Sequence, residues 1–160
     1  MQQWLDEYGE SHRHPTNKAV HWVCVPAIMF TVLGLLWLLP VPAFAAALGP
    51  WSNWATLAVA LAAIWYLLLS PPLALGMLLI SLGMLAAIAW LDATLPFPSW
   101  ILFVAVFVAA WIGQFIGHRI EGRKPSFFKD VQFLLIGPAW LLSHLYGRRR
   151  VPAGRPRSTG

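Results

Sequence analysis

The sequence predicts an all-α, polytopic membrane protein: a helical bundle of about four transmembrane helices plus a C-terminal interfacial helix, with both termini cytoplasmic. Three observations predict it. The 160 residues are 59% hydrophobic and only 11% charged, where a soluble domain carries about 25% charge, and the mean hydropathy is +0.65. All 11 Lys and Arg lie in residues 1–18 or 119–160, and the hundred residues between them hold a single charged side chain, Asp92. Clusters of Pro, Gly and Ser cut that uncharged stretch into apolar runs near the roughly 20 residues that a membrane crossing needs.

The same arithmetic excludes several classes. A net charge of +5 suggests nucleic acid in a soluble chain, but here the basic residues flank apolar spans, where they set orientation, and no nucleic-acid partner is expected. The single cysteine, Cys24, forbids an internal disulfide and, within an apolar run, reads as a residue that packs as a small hydrophobe. The first apolar run, residues 19–39, exceeds the roughly 7–15 residues of a signal-peptide core, so it reads as a retained span.

Taken in order, residues 4–12 form a short helix with Trp4, Leu5 and Tyr8 on one side. Pro15 pushes His14 out of the helical region, and the chain bends there. Thr16 or Asn17 is the expected N-cap of the first span, about 20–39, which ends at Pro40 and Pro42. An uncharged loop through Gly49, Pro50 and Asn53 leads to the second span, about 54–69, stopped by Ser70-Pro71-Pro72. The third span covers about 73–90. A proline-containing loop from Asp92 to Ser99 leads to the fourth, about 100–117. Spans two and three, about 16–18 residues each, lie at the lower limit for crossing and could instead form one re-entrant hairpin. Either arrangement returns the chain to the side on which it started. Trp51, Trp54, Trp90 and Trp100 fall near the expected ends, as in an interfacial aromatic belt.

Residues 127–146 carry only about ten consecutive apolar positions, interrupted by Gly137-Pro138 and led by Lys129 and Asp130. This is the pattern of an interfacial helix. A fifth crossing would place Arg148, Arg149 and Arg150 outside, against the positive-inside rule. The membrane domain is thus 1–147, and 148–160 is a basic, disordered tail facing anionic headgroups.

The candidate chemistry lies in five histidines: His12, His14, His21, His118 and His144. None is central in a span, and the topology brings all five, with Glu121, to one membrane face. Histidine is the commonest metal ligand, so this face can hold a metal. His14 and His21, seven apart, would share a helix face. His12, nine from His21, would not, unless a turn through Pro15-Thr16-Asn17 folds it back. His118 and Glu121, three apart, share a helix face. The competing reading is that the histidines simply sit at headgroup depth, since no compact signature such as H-E-x-x-H is present. Asn17 and Gln114 are candidates to orient the imidazoles; the plainer alternatives are a helix cap for Asn17 and a bond to another span for Gln114.

Tyr8-Gly-Glu-Ser-His12-Arg-His-Pro15-Thr-Asn17-Lys-Ala-Val-His21, followed by Val25-Pro26, resembles the opening signature of the Mpo1-like family. Gln114-Phe-Ile-Gly-His118-Arg-Ile-Glu121-Gly-Arg123-Lys-Pro125 and the later Leu135-Ile-Gly-Pro138 resemble its closing signature. The resemblance implies an iron(II)-dependent dioxygenase of fatty acid α-oxidation, acting on a 2-hydroxy fatty acid and dioxygen and releasing the acid one carbon shorter. It implies an iron site carried by His12, His21 and His118. Glu121, three residues after His118 where the family pattern has four, is a further candidate as ligand or orienting group. His14 is another, at a position where the family need not have histidine. His144 matches no motif.

Under this reading the acyl chain lies between the spans, Arg123 or Lys124 pairs with the substrate carboxylate or only enforces topology, and Tyr8 is a hydrogen-bond donor or an interfacial anchor. The rival classes are a non-catalytic membrane structural or interaction protein, and a metal-dependent lipid hydrolase, since His and Glu do not name their metal. The membrane expected is the inner one in a bacterial host and the endoplasmic reticulum in a eukaryotic one.

Overall fold

A computed structural model describes residues 15–122, which fold into five helices and no strand: α1 (Pro15–Trp37), α2 (Ala43–Ala46), α3 (Trp54–Leu69), α4 (Pro71–Thr94) and α5 (Ser99–Glu121). Three of them, α1, α4 and α5, are long and apolar enough to cross a membrane. The expected helices at 4–12 and 127–146, the bend before Pro15 and the tail lie outside the described residues.

Helix α1 begins earlier than its hydropathy suggests. Pro15 to Asn17 are already helical, and Asn17 is buried rather than capping. Proline suits a first turn because the N–H it lacks would have no partner inside the helix. The expected turn through Pro15-Thr16-Asn17 is therefore replaced by helix, and a fold-back that would bring His12 to His21 falls before Pro15, outside the described residues. Pro26 lies inside the helix, where a bilayer setting tolerates it if neighbours serve the freed carbonyl.

The connection to α3 is tied by its own side chains. Trp54 Nε1 donates to the Pro40 carbonyl at 2.9 Å, and the Trp37 and Trp51 rings meet edge-on at 5.3 Å. Asn53 caps α3, its Oδ1 accepting from the Thr56 N–H at 3.0 Å. Ser70 alone, with extended backbone, separates α3 from α4, and Pro71 and Pro72 occupy the first turn of α4 instead of extending the loop.

Helix α4 consequently runs for 24 residues, about 36 Å at 1.5 Å per residue. The shortness expected for spans two and three holds for α3 alone, with its 16 residues. Asp92 lies in the last turn of α4, not in a loop. Its carboxylate accepts from the Ser99 hydroxyl at 2.5 Å, fastening the start of α5 to the end of α4. These two residues, with Leu35, Leu38, Leu39, Pro98 and Trp100, line a cavity of about 530 Å³. Trp51, Trp54, Trp90 and Trp100 are all exposed, as an interfacial belt requires.

The packing has two parts. The α3–α4 hairpin closes on Tyr66, Leu73, Ala74 and Met77 near its turn. At the other end Ala55, Val59, Leu85 and Ile88 join Leu33 of α1 and Phe103 of α5. Helix α5 packs chiefly along α1, antiparallel, so the start of α1 and the end of α5 share one mouth of the bundle.

Glycines set this approach. A Cβ on Gly34 would lie 2.7–2.8 Å from ring atoms of the fully buried Phe103, one on Gly113 would lie 2.7 Å from Cys24 Sγ, and one on Gly117 would run into Asn17 Oδ1. In lipid, where neighbouring acyl chains are as apolar as Leu, small residues that admit close backbones are what hold two helices together. Gly34→Val therefore overpacks a ring with nowhere to go and should cost about 1–3 kcal/mol. The measurement is the thermal unfolding midpoint in detergent. The control is Gly83→Ala, whose Cβ meets nothing within 4 Å and which should be neutral or stabilising, because alanine is the better helix former.

Candidate functional site

At the shared mouth the α1–α5 seam changes from apolar to polar. Asn17 and His21 lie four apart on α1, Gln114 and His118 four apart on α5, and each pair occupies one helix face. All four side chains are buried, with Asn17 at 0%, His21 at 2%, His118 at 5% and Gln114 at 7% exposure. The His21 and His118 rings meet edge to face, centroids 5.0 Å apart and planes at 89°.

Local structure fixes one imidazole outright. His21 Nδ1 lies 2.9 Å from the main-chain oxygen of Asn17. A carbonyl oxygen only accepts, so Nδ1 carries the proton and, in the neutral ring, the lone pair is on Nε2. His118 is held by the end of its helix. Helix α5 runs a turn beyond the expected residue 117, and Gly122, at φ +72°, closes it by donating its N–H to the carbonyls of His118 and Arg119. The carbonyl ends gathered there favour positive charge, whether the adjacent Arg119 or a bound cation.

Of the residues singled out from sequence, the structure brings together His21, His118, Asn17 and Gln114. Asn17 is confined beneath Gly117, and the role in orienting His21 falls to its main-chain oxygen. Tyr8, His12, His14, Arg123, Lys124 and His144 lie outside the described residues, as does the side chain of Glu121. Gly113 and Gly117 were not anticipated from sequence. Their signal was there to be read, as two glycines four apart in the apolar run Gly113-Gln-Phe-Ile-Gly117. Cys24 packs against Gly113, the small hydrophobe its surroundings suggested.

Among the described residues no group of three or more His, Cys, Asp or Glu comes together. The donor set fits a borderline transition metal in part. Two buried imidazoles, one with its tautomer fixed by a carbonyl, are what such a centre uses, and further protein ligands would come from Glu121, whose side chain is not among those described, or from outside 15–122.

These features define a class: a helical membrane protein whose buried histidines, drawn from the two ends of its apolar region, meet at one basic mouth. The chain belongs to the Mpo1-like family, whose model, described as 2-hydroxy-palmitic acid dioxygenase Mpo1-like, matches residues 1–149. No curated protein and no solved structure matches it.

The seam makes the site dependent on Gly117. Gly117→Val would push α5 from α1 at the level of the histidines. Modification by diethyl pyrocarbonate, read by peptide mass, should be slow at His21 and His118 in the native protein and at least several-fold faster in the variant. Equal rates would mean that the glycine does not close the site.

Proposed function

We infer that the protein is an iron(II)-dependent dioxygenase of fatty acid α-oxidation that converts a 2-hydroxy fatty acid to the acid one carbon shorter. The observation that carries this reading is the edge-to-face burial of His21 against His118, in a chain whose family description names a 2-hydroxy-palmitic acid dioxygenase. A membrane scaffold without chemistry has no need to bury two imidazoles together at one mouth.

His21 and His118 would hold the metal, with His12 as the third ligand and Glu121 or His14 as further candidates. Iron(II) bound there would supply the capacity to activate dioxygen, which imidazole and carboxylate ligands with open positions support. The stoichiometry closes without another reductant: R–CH(OH)–COO⁻ and O₂ give R–COO⁻, CO₂ and H₂O. The bond between carbons 1 and 2 breaks, carbon 2 is oxidised to the new carboxylate, and dioxygen takes up the electrons.

The chain's own residues arrange the reactants. Asn17 O holds the His21 ring with Nε2 as its coordinating atom. Lys18 and Arg119 lie at the mouth, and Arg123 comes next in sequence after the described residues, so a substrate carboxylate would meet positive charge at headgroup depth. The apolar helices leave the acyl chain in the bilayer, which each CH₂ prefers to water by about 0.8 kcal/mol. By the positive-inside rule this mouth faces the cytoplasm, with α3 making the fourth crossing. The membrane is the inner one in a bacterial host and the endoplasmic reticulum in a eukaryotic one.

Purified protein loaded anaerobically with iron(II), then given dioxygen and 2-hydroxyhexadecanoate, should form pentadecanoate. A chelator should abolish the reaction and iron(II), not zinc, restore it. His21→Ala and His118→Ala should each lower the rate at least a thousandfold, the scale of losing a metal ligand's chemistry altogether, while remaining in the membrane fraction. Full activity in either variant, or no shortened acid from the native protein, would refute the assignment.

A further inference from the structure

The metal site proposed above leaves Gln114 without a task. Its side chain is 93% buried, and its Oε1 has no hydrogen-bond partner among the described residues. Burying an amide oxygen without a donor costs stability that an apolar side chain of the same length would not, so the position is suited to a donor that arrives with a ligand. Its placement narrows which one. Gln114 precedes His118 by four residues, which puts it on the same face of α5, about 6 Å further into the membrane. The flanking Gly113 and Gly117 close on Cys24 and Asn17, which brings Gln114 level with His21.

A 2-hydroxy acid with its carboxylate at the basic mouth and its chain directed into the bilayer carries one hydroxyl, on the carbon just inside the carboxylate. We propose that Gln114 Oε1 accepts the hydrogen bond of the substrate's 2-hydroxyl and thereby distinguishes 2-hydroxy fatty acids from unsubstituted ones. The proposal rests on reading this mouth as a 2-hydroxy acid site. An unsubstituted acid covers the same amide without supplying the donor, and a site built to hydrogen-bond a hydroxyl discriminates against the analogue that lacks it.

The test is binding, not turnover. Full-length, metal-free protein in lipid nanodiscs is titrated with 2-hydroxyhexadecanoate and with hexadecanoate, each displacing a fluorescent fatty acid. The native protein should prefer the 2-hydroxy acid by about tenfold, the worth of one neutral hydrogen bond. Gln114→Met, which keeps the length of the side chain, should reduce that preference to within about twofold and leave the unfolding midpoint of the ligand-free protein equal or higher. A preference unchanged in Gln114→Met, or absent from the native protein, would overturn the proposal. So would a variant that unfolds, because the amide would then already be satisfied within the fold. Formation of pentadecanoate by the iron-loaded native protein is a separate readout: product without a Gln114-dependent preference sinks the hydroxyl contact alone, and a Gln114-dependent preference without product sinks the dioxygenase reading alone.

Discussion

The close approach of α1 and α5 is the constraint on which the rest depends. These helices are separated in sequence by residues 38–98. What brings them together is the absence of side chains at three points: Gly34 beneath Phe103, Gly113 beneath Cys24 and Gly117 beneath Asn17. In water an apolar face would drive such an association. In a bilayer that drive is missing, and dispersion between closely fitted backbones has to replace it. The α3–α4 hairpin has its own core at the turn, against which Met29 of α1 packs, and meets both helices of the seam at the far end, through Leu33 and Phe103.

The seam also explains why chemistry belongs at one end. Over most of its length it buries Val25, Ile28, Leu33, Phe103 and Ala110. In its last two turns it buries Asn17, His21, Gln114 and His118 instead, polar groups whose desolvation is costly unless each finds a partner or a ligand. A fold that gained only a helix contact there would place apolar residues at those positions. The polar end coincides with the end that carries Lys18 and Arg119, the two basic residues among the described ones, so buried donors and surface charge converge where a lipid carboxylate would lie. The opposite mouth holds Asp92, engaged with Ser99.

Much of this was legible in the sequence because the controlling signals are one-dimensional. Charge segregation marked the apolar region, and an expected even number of passes put His21 and His118 on a common face. Helix ends were less legible because hydropathy measures burial in lipid, not helicity. Polar first and last turns such as Pro15 to Lys18 and His118 to Glu121 continue the helix past the apolar run. Pro71 and Pro72 looked like a stop, and they are a start, since proline's missing N–H is harmless in a first turn. Asn17 looked like a cap for the same reason that it is unusual where it lies: a short amide is at home at a helix terminus, and here a neighbouring glycine gives it a buried place. Which residues of α1 face which residues of α5 was beyond the periodicity, because nearly every position on both helices is apolar and the moment that would define a face is absent. The glycine spacing was the remaining clue.

The central claim is the register of that seam, and cysteine chemistry tests it most directly. The chain has one natural thiol, Cys24, whose sulfur lies 2.7 Å from where a Cβ on Gly113 would stand, close to the spacing of a Cβ from the far sulfur of a disulfide. Gly113→Cys in the otherwise native protein, oxidised in the membrane and analysed by intact mass after thiol labelling, should yield a monomer with no free thiol and one internal disulfide. Two labelled thiols after oxidation, with the same reagent oxidising an accessible control pair, would contradict the register and with it the meeting of His21 and His118.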